Sequence, residues 1–187
     1  MPRIGLGTCC RPGERGPAIT RAVVDWLSVG GELVDTAELY RNHKDIGRAR
    51  RCFPAGDRDR FWITSKVDMR HIKDPLGVAA SVERTLLDLG LHHVDLMLLH
   101  QSECGSGSGG GDDDGLQCVV DAWRELLRLQ TLGKARAVGV SNFGVRHLEA
   151  LARAGLPYPA VNEIEFHPWI SREQRRTFEW CNRNGVA

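Results

Sequence analysis

Leu96-Met97-Leu98-Leu99-His100 is an apolar run that ends abruptly on an imidazole. The same arrangement occurs upstream. Phe61-Trp62-Ile63-Thr64-Ser65 runs into Lys66, and Leu33-Val34 runs into Asp35, with Tyr40 following in the same turn region. Short apolar runs bounded by turn signals read as buried strands. Reactive side chains far apart in sequence that all sit at carboxyl ends of strands are how an α/β barrel assembles one active site.

The pattern continues in both directions. Residues 3–8 read as a first strand, in which Gly5 and Gly7 permit close backbone approach. Gly16-Pro17 opens a helix carrying Ile19, Val23, Trp26 and Leu27 at helical spacing, and Gly30-Gly31 ends it. After the strand at 33–34 comes a weaker helix over 42–52, then a strand over 61–65. Asp74-Pro75 opens a helix with Leu76, Ala79, Val82, Leu86 and Leu89, closed by Gly90. A strand over 94–99 precedes a helix over 116–131, which sets Val119, Val120, Trp123, Leu126 and Leu127 on one face. A strand over 136–140, a helix over 145–154, a strand over 160–164 and a helix over 171–183 complete the series. Ser171 and Gln174 form a capping-box pattern at the last helix. Val186-Ala187 read as the first residues of another strand.

Alternating strands and helices call for parallel pairing through crossover helices. The expected fold is therefore α/β, a TIM (β/α)8-type barrel, incomplete, with about six βα units in a single domain over residues 1–187 and without the last two units. Residues 102–115, rich in Gly, Ser and Asp, are expected to be a flexible loop. Asp112, Asp113 and Asp114 lack EF-hand spacing and read as a solvated acidic run near a helix start. An open barrel leaves strand edges and apolar surface uncovered, so marginal stability, aggregation or completion by another chain is expected.

Composition limits the function. The chain has 187 residues, 42% hydrophobic and 26% charged, with a net charge of +1. Nothing in that balance holds nucleic acid. No apolar stretch is long enough to cross a bilayer, and the amino terminus has no signal-peptide core. A soluble, cytoplasmic protein with no nucleic-acid or membrane partner is expected, its oligomeric state left open. None of the six cysteines forms a Cys-x-x-Cys pair. They read as mostly free thiols, with Cys9 in a site loop, and no metal site is expected. His92-His93 with Asp95 straddles a turn and reads as a loop pair, and His167 before Pro168 reads as structural.

Several stretches carry a resemblance. Val34-Asp35-Thr36-Ala37-Glu38-Leu39-Tyr40-Arg41-Asn42, followed by Gly47, resembles the first signature of the aldo-keto reductases. Ile63-Thr64-Ser65-Lys66 is similar to that family's strand ending in its active-site lysine, and Leu98-Leu99-His100 to the strand ending in its histidine. Gly139-Val140-Ser141-Asn142-Phe143 resembles the loop that holds the nicotinamide amide. The segment from Val161 through Pro168 resembles the stretch after the sixth strand. The motifs follow in the family's order along the chain.

The resemblance implies a catalytic tetrad of Asp35, Tyr40, Lys66 and His100, and NADPH-dependent reduction of small-molecule aldehydes or ketones. It also implies a nicotinamide site in which Ser141, Asn142 and Glu163 meet the carboxamide and Gly7, Thr8 and Asp35 line the ribose. The chemistry is coherent on its own terms. Hydride arriving at a carbonyl carbon leaves an alkoxide to be protonated. Tyrosine can donate that proton, and a nearby ammonium brings its pKa down from about 10. Lys66 is that cation, Asp35 its counter-ion, and His100 a hydrogen-bond donor to the carbonyl oxygen.

The chain departs from the family pattern at some positions. Glu163 stands where the family commonly has glutamine, His43 where it usually has glutamate, Gly31-Glu32 where it has an aromatic-basic pair, and Cys9 where a bulkier residue is frequent. Trp62 reads as barrel packing. In the family, the residues that stack on the nicotinamide and bind the adenosine phosphate belong to the seventh and eighth units. Two other functions stay open at this level: a catalytically impaired, reductase-like binding or regulatory subunit, and a Schiff-base lyase using Lys66 as nucleophile.

Overall fold

The computed structural model describes residues 1–9, 15–54, 58, 60–72, 75–104 and 112–187. Its strands are β1 (Gly5–Gly7), β2 (Leu33–Asp35), β3 (Trp62–Val67), β4 (Val94–Leu99), β5 (Ala135–Ser141) and β6 (Asn162–Glu163). Between and after them run α1 (Pro17–Ser28), α2 (His43–Arg50), α3 (Pro75–Leu89), α4 (Asp112–Thr131), α5 (Val145–Arg153) and α6 (Arg172–Arg183). All neighbouring strands pair in parallel, in chain order from β1 to β6. Such a sheet, with a helix after each strand, is six units of a (β/α) barrel, as the alternation predicts.

Pleat parity sorts the side chains, because successive residues of a strand face opposite sides. Val34, Ile63, Val67, Met97, Leu99, Val138 and Val140 belong to the hydrophobic core that also contains Val23, Leu86, Trp123 and Leu148 of the helices. The alternate residues therefore face the concave side. Register aligns Asp35 with Thr64, Lys66 with Leu98, Leu98 with Gly139, and Ser141 with Glu163. One parity thus carries Asp35, Lys66, Ser141 and Glu163 inward at the carboxyl ends of four strands, and His100 follows on the same parity. Gly139 lies on this crowded face; a Cβ there would come within 2.5 Å of the Val161 carbonyl oxygen and 2.8 Å of Leu98 Cδ2.

Several boundaries differ from the sequence reading. β3 runs through Lys66 to Val67, so the lysine is held inside the strand rather than beyond it. β6 is far shorter than the expected 160–164, since backbone pairing with β5 is confined to Asn162 and Glu163. Helix α4 begins at Asp112, inside the segment expected to be a loop. The side chains of residues 112–114, residues 105–111 and the expected cap Asp74 lie outside the described residues.

The cysteine expectation is corrected. Cys104 and Cys118 form a disulfide, Cys9 is disulfide-bonded too, and Cys52 and Cys181 are the free thiols among the described residues. The fold supplies what sequence spacing could not, bringing the loop after β4 against the first turns of α4. The Ser171–Gln174 capping box forms as expected, at 3.1 Å and 2.8 Å. At the chain's end the Asn162 amide donates to the Ala187 carbonyl, and the Ala187 amide donates to the Ala160 carbonyl. Residue 187 thus lies alongside β6 as a strand would.

Candidate active site

The Lys66 ammonium is the centre of the site. Its side chain is only 1% exposed, yet an ammonium cannot be buried without partners. Nζ lies 2.5 Å from Asp35 Oδ1, 3.0 Å from Glu163 Oε1 and 3.4 Å from the Thr36 carbonyl oxygen. Burial alone would pull its pKa down; the two carboxylates outweigh that and raise it. The same burial pushes the Asp35 carboxyl up to about 7 against the pull of Lys66, with Glu163 adding a like charge.

Tyr40 reaches this cation from a 3₁₀ turn over Glu38–Tyr40. The turn is pinned from both sides, because Glu38 Oε2 accepts from the Asp68 amide at 3.1 Å and from Ser81 Oγ at 2.6 Å. Nζ of Lys66 sits 5.4 Å from the centre of the Tyr40 ring. The His100 ring meets Tyr40 edge-on, centroid to centroid 5.7 Å. Burial raises the Tyr40 phenol above its ordinary pKa, Lys66 opposes, and Asp35 and Glu163 reinforce the rise. His100 is pushed down to about 4, first by burial and then by Lys66, so its imidazole is neutral at ordinary pH. A neutral imidazole donates from one nitrogen only.

The four residues expected to act together, Asp35, Tyr40, Lys66 and His100, are therefore neighbours on the concave face. The six residues expected at a nicotinamide fall into two groups. Ser141 is buried, and Asn142 sits in the left-handed region at φ 61°, its Nδ2 donating to the His100 carbonyl and to Ser141 Oγ, both at 3.0 Å. Glu163 joins them across the strand pair but turns its carboxylate to Lys66. On the other side, Thr8 commits both its amide (3.0 Å) and its hydroxyl (2.9 Å) to the Asp35 carbonyl. Gly7 is open, and a Cβ there would meet nothing within 4 Å.

Sequence reasoning gave no role to Thr36 and Asn42. Thr36 Oγ1 donates to Asn42 Oδ1 at 2.8 Å, and Asn42 Nδ2 donates to the Thr8 carbonyl at 3.0 Å. Both are fully buried and tie the loops after β1 and β2 together. The signal available was a threonine and an asparagine within a loop run that also holds two reactive side chains. Trp62 is half-buried and donates to Thr64 Oγ1 at 3.3 Å, beside a cavity of about 590 Å³ at the opposite end of the sheet. That agrees with its reading as packing.

The chain is similar to known proteins. The Aldo/keto reductase family profile matches residues 3–187. Aldo-keto reductase family 4 member C11 of Arabidopsis thaliana is 35% identical over the whole chain, which covers 59% of it. The NADPH-dependent D-xylose reductase of Meyerozyma guilliermondii is 32% identical over the whole chain, which covers 62% of it. A crystal structure of an aldo/keto reductase from Brucella melitensis superposes with a TM-score of 0.83 at 25% identity, over the whole of this chain and 66% of that one. The chain thus spans about three fifths of the length of these curated relatives. With its βα order, its strand-end tetrad and a match along nearly its full length, this chain belongs to the aldo/keto reductase family.

Proposed function

We propose that the protein reduces aldehydes or ketones to alcohols with NADPH, Tyr40 delivering the proton, and that residues 1–187 form one barrel domain carrying six βα units. The carrying observation is a buried ammonium held by Asp35 and packed against the Tyr40 ring, with a neutral imidazole edge-on to the same ring. The Meyerozyma relative's description as NADPH-dependent favours that cofactor.

The residues present suit the nicotinamide half of the cofactor. A hydroxyl, a side-chain amide and a carboxylate converge at the ends of β5 and β6, a set complementary to a carboxamide. Gly7 leaves room beside Asp35 for a sugar ring. The buried Asp35 Oδ2 has no hydrogen-bond partner among the described residues and can accept a hydrogen bond from a sugar hydroxyl. Ser141, Asn142 and Glu163 would hold the amide, and Gly7, Thr8 and Asp35 would face the ribose. When bound, NADPH supplies the hydride.

This chain's own residues do the rest. His100 donates one N–H to the carbonyl oxygen and orients it. Tyr40 gives its phenolic proton to the oxygen as negative charge develops there. Lys66 stabilises the phenolate left behind, and Asp35 fixes the ammonium. A Schiff-base role for Lys66 is disfavoured, since a nucleophilic amine must lose its proton and two carboxylates oppose that loss.

The test is NADPH oxidation with an aromatic aldehyde by the full-length protein. Tyr40→Phe is expected to reduce turnover by roughly 10²–10⁴-fold. Unchanged turnover in that variant would reject the assignment.

A further inference from the structure

Glu163 puts a charge where the resemblance leads to a neutral amide. It pairs in register with Ser141 at the ends of β5 and β6, and its carbonyl accepts from the Asn142 amide at 3.0 Å. Its side chain is 42% exposed, with Oε1 3.0 Å from Lys66 Nζ. The charges gathered here are Asp35 and Glu163 against Lys66, one net negative charge when all three are ionised. Of their neighbours, His100 is neutral at ordinary pH, and Asp68 and Arg70 pair with each other at 2.8 Å. We propose that Glu163 is a specificity residue for the redox state of the cofactor, favouring the positively charged nicotinamide of NADP⁺ over the neutral ring of NADPH. The proposal rests on the reading that a nicotinamide lies at the ends of β5 and β6 beside Tyr40.

The two cofactor forms differ in a way that a fixed charge senses. Loss of hydride takes an electron pair from the ring and leaves one positive charge there, while the phosphates are unchanged. In reduction the hydride bonds to the carbonyl carbon, the Tyr40 proton bonds to its oxygen, and water returns a proton to Tyr40. A ring that gives hydride to a carbonyl held by Tyr40 and His100 must lie against those side chains. Lys66, 5.4 Å from the centre of the Tyr40 ring, holds Glu163 in the same neighbourhood. An opposite charge that near, in a partly buried site, favours the charged ring by about tenfold. A glutamine of the same length reaches as far but brings no charge. Binding and reaction are linked, so the factor that favours NADP⁺ in binding also shifts the equilibrium of the bound reactants toward the alcohol.

Quenching of tryptophan fluorescence gives dissociation constants for NADP⁺ and NADPH on the full-length protein without turnover. The readout is their ratio, in which hydrogen bonds and packing common to the two forms cancel. Titration about two pH units above the Asp35 midpoint of about 7 keeps that carboxylate ionised in every variant. Glu163→Gln is expected to shift the ratio about tenfold against NADP⁺. Glu163→Asp keeps the charge and is expected to hold the ratio within about threefold of the parent. A Glu163→Gln ratio equal to the parent's, or moved toward NADP⁺, overturns the proposal, and so do equal shifts in the Asp and Gln variants. Ser141→Ala tests the underlying placement and is expected to weaken both forms alike. If it does so while Glu163→Gln leaves the ratio unchanged, the role of Glu163 fails and the nicotinamide placement stands. If the parent binds neither form, or neither variant changes either constant, both fail together.

Discussion

His43 shows how a single residue's position sets its chemistry. It stands just after Asn42, where the resemblance led us to expect glutamate, and it is 6% exposed with Nε2 at 3.0 Å from Ser65 Oγ. Burial pushes its pKa down to about 4, against a weaker pull from Asp88. A histidine of depressed pKa binds fewer protons folded than unfolded between pH 4 and 6.5, so the stability it gives is present above 6.5 and lost as pH falls through about 4. The difference in unfolding free energy between the parent and His43→Asn, from urea titrations, is accordingly expected to grow from pH 4 to 6.5 and then level off. A constant difference would mean that the imidazole is not buried in its neutral form. The tetrad follows the same logic. Asp35, Tyr40, Lys66 and His100 could be named from strand-end motifs, whereas the lifted carboxyl of Asp35 and the neutral imidazole of His100 come from burial, which no local stretch of sequence specifies.

Among the elements, the long strands and amphipathic helices were legible because each repeats its own period. Val94–Leu99 is a strand with the predicted bounds, every residue of it buried. The short strands were read in the right places but not with the right bounds, since β6 extends only where β5 offers partners to Asn162 and Glu163. Helix–helix contact is likewise a tertiary matter. Gly47 in α2 lies against the end of α3, where an added Cβ would stand 2.8 Å from the Leu89 carbonyl oxygen and 2.9 Å from that of Asp88. Both obstacles are backbone and cannot rotate away. Alanine gains about 1 kcal/mol of helix propensity over glycine, but overpacking costs about 1–3 kcal/mol. Gly47→Ala is therefore expected to destabilise by on the order of 1 kcal/mol, read as a lower urea midpoint with an unchanged slope. A more stable variant would show that α2 and α3 separate freely.

For the molecule as a whole, β1 and β6 are the two ends of the sheet and do not pair with each other. Ile4, Phe166 and Trp169 are exposed by 73%, 57% and 85% near those ends. β1 has no outer strand partner and β6 meets only residue 187 on its outer side, and such edges beside apolar surface invite pairing with another chain. Residues 1–187 expressed by themselves are therefore expected to self-associate at micromolar concentration in size-exclusion chromatography with light scattering. A monomer with a cooperative thermal transition would contradict this. No helix among the described residues is long and apolar enough to cross a membrane. The sequence by itself determined the order of the βα units and roughly where the strands lie, because periodicity and turn chemistry act between near neighbours. Only the tertiary structure decided that Glu163 grips Lys66, that Cys104 bonds Cys118 and that Thr36 and Asn42 lock the loops. Those contacts depend on inter-strand register and on distance through space, and electrostatic coupling follows that distance, not separation along the chain.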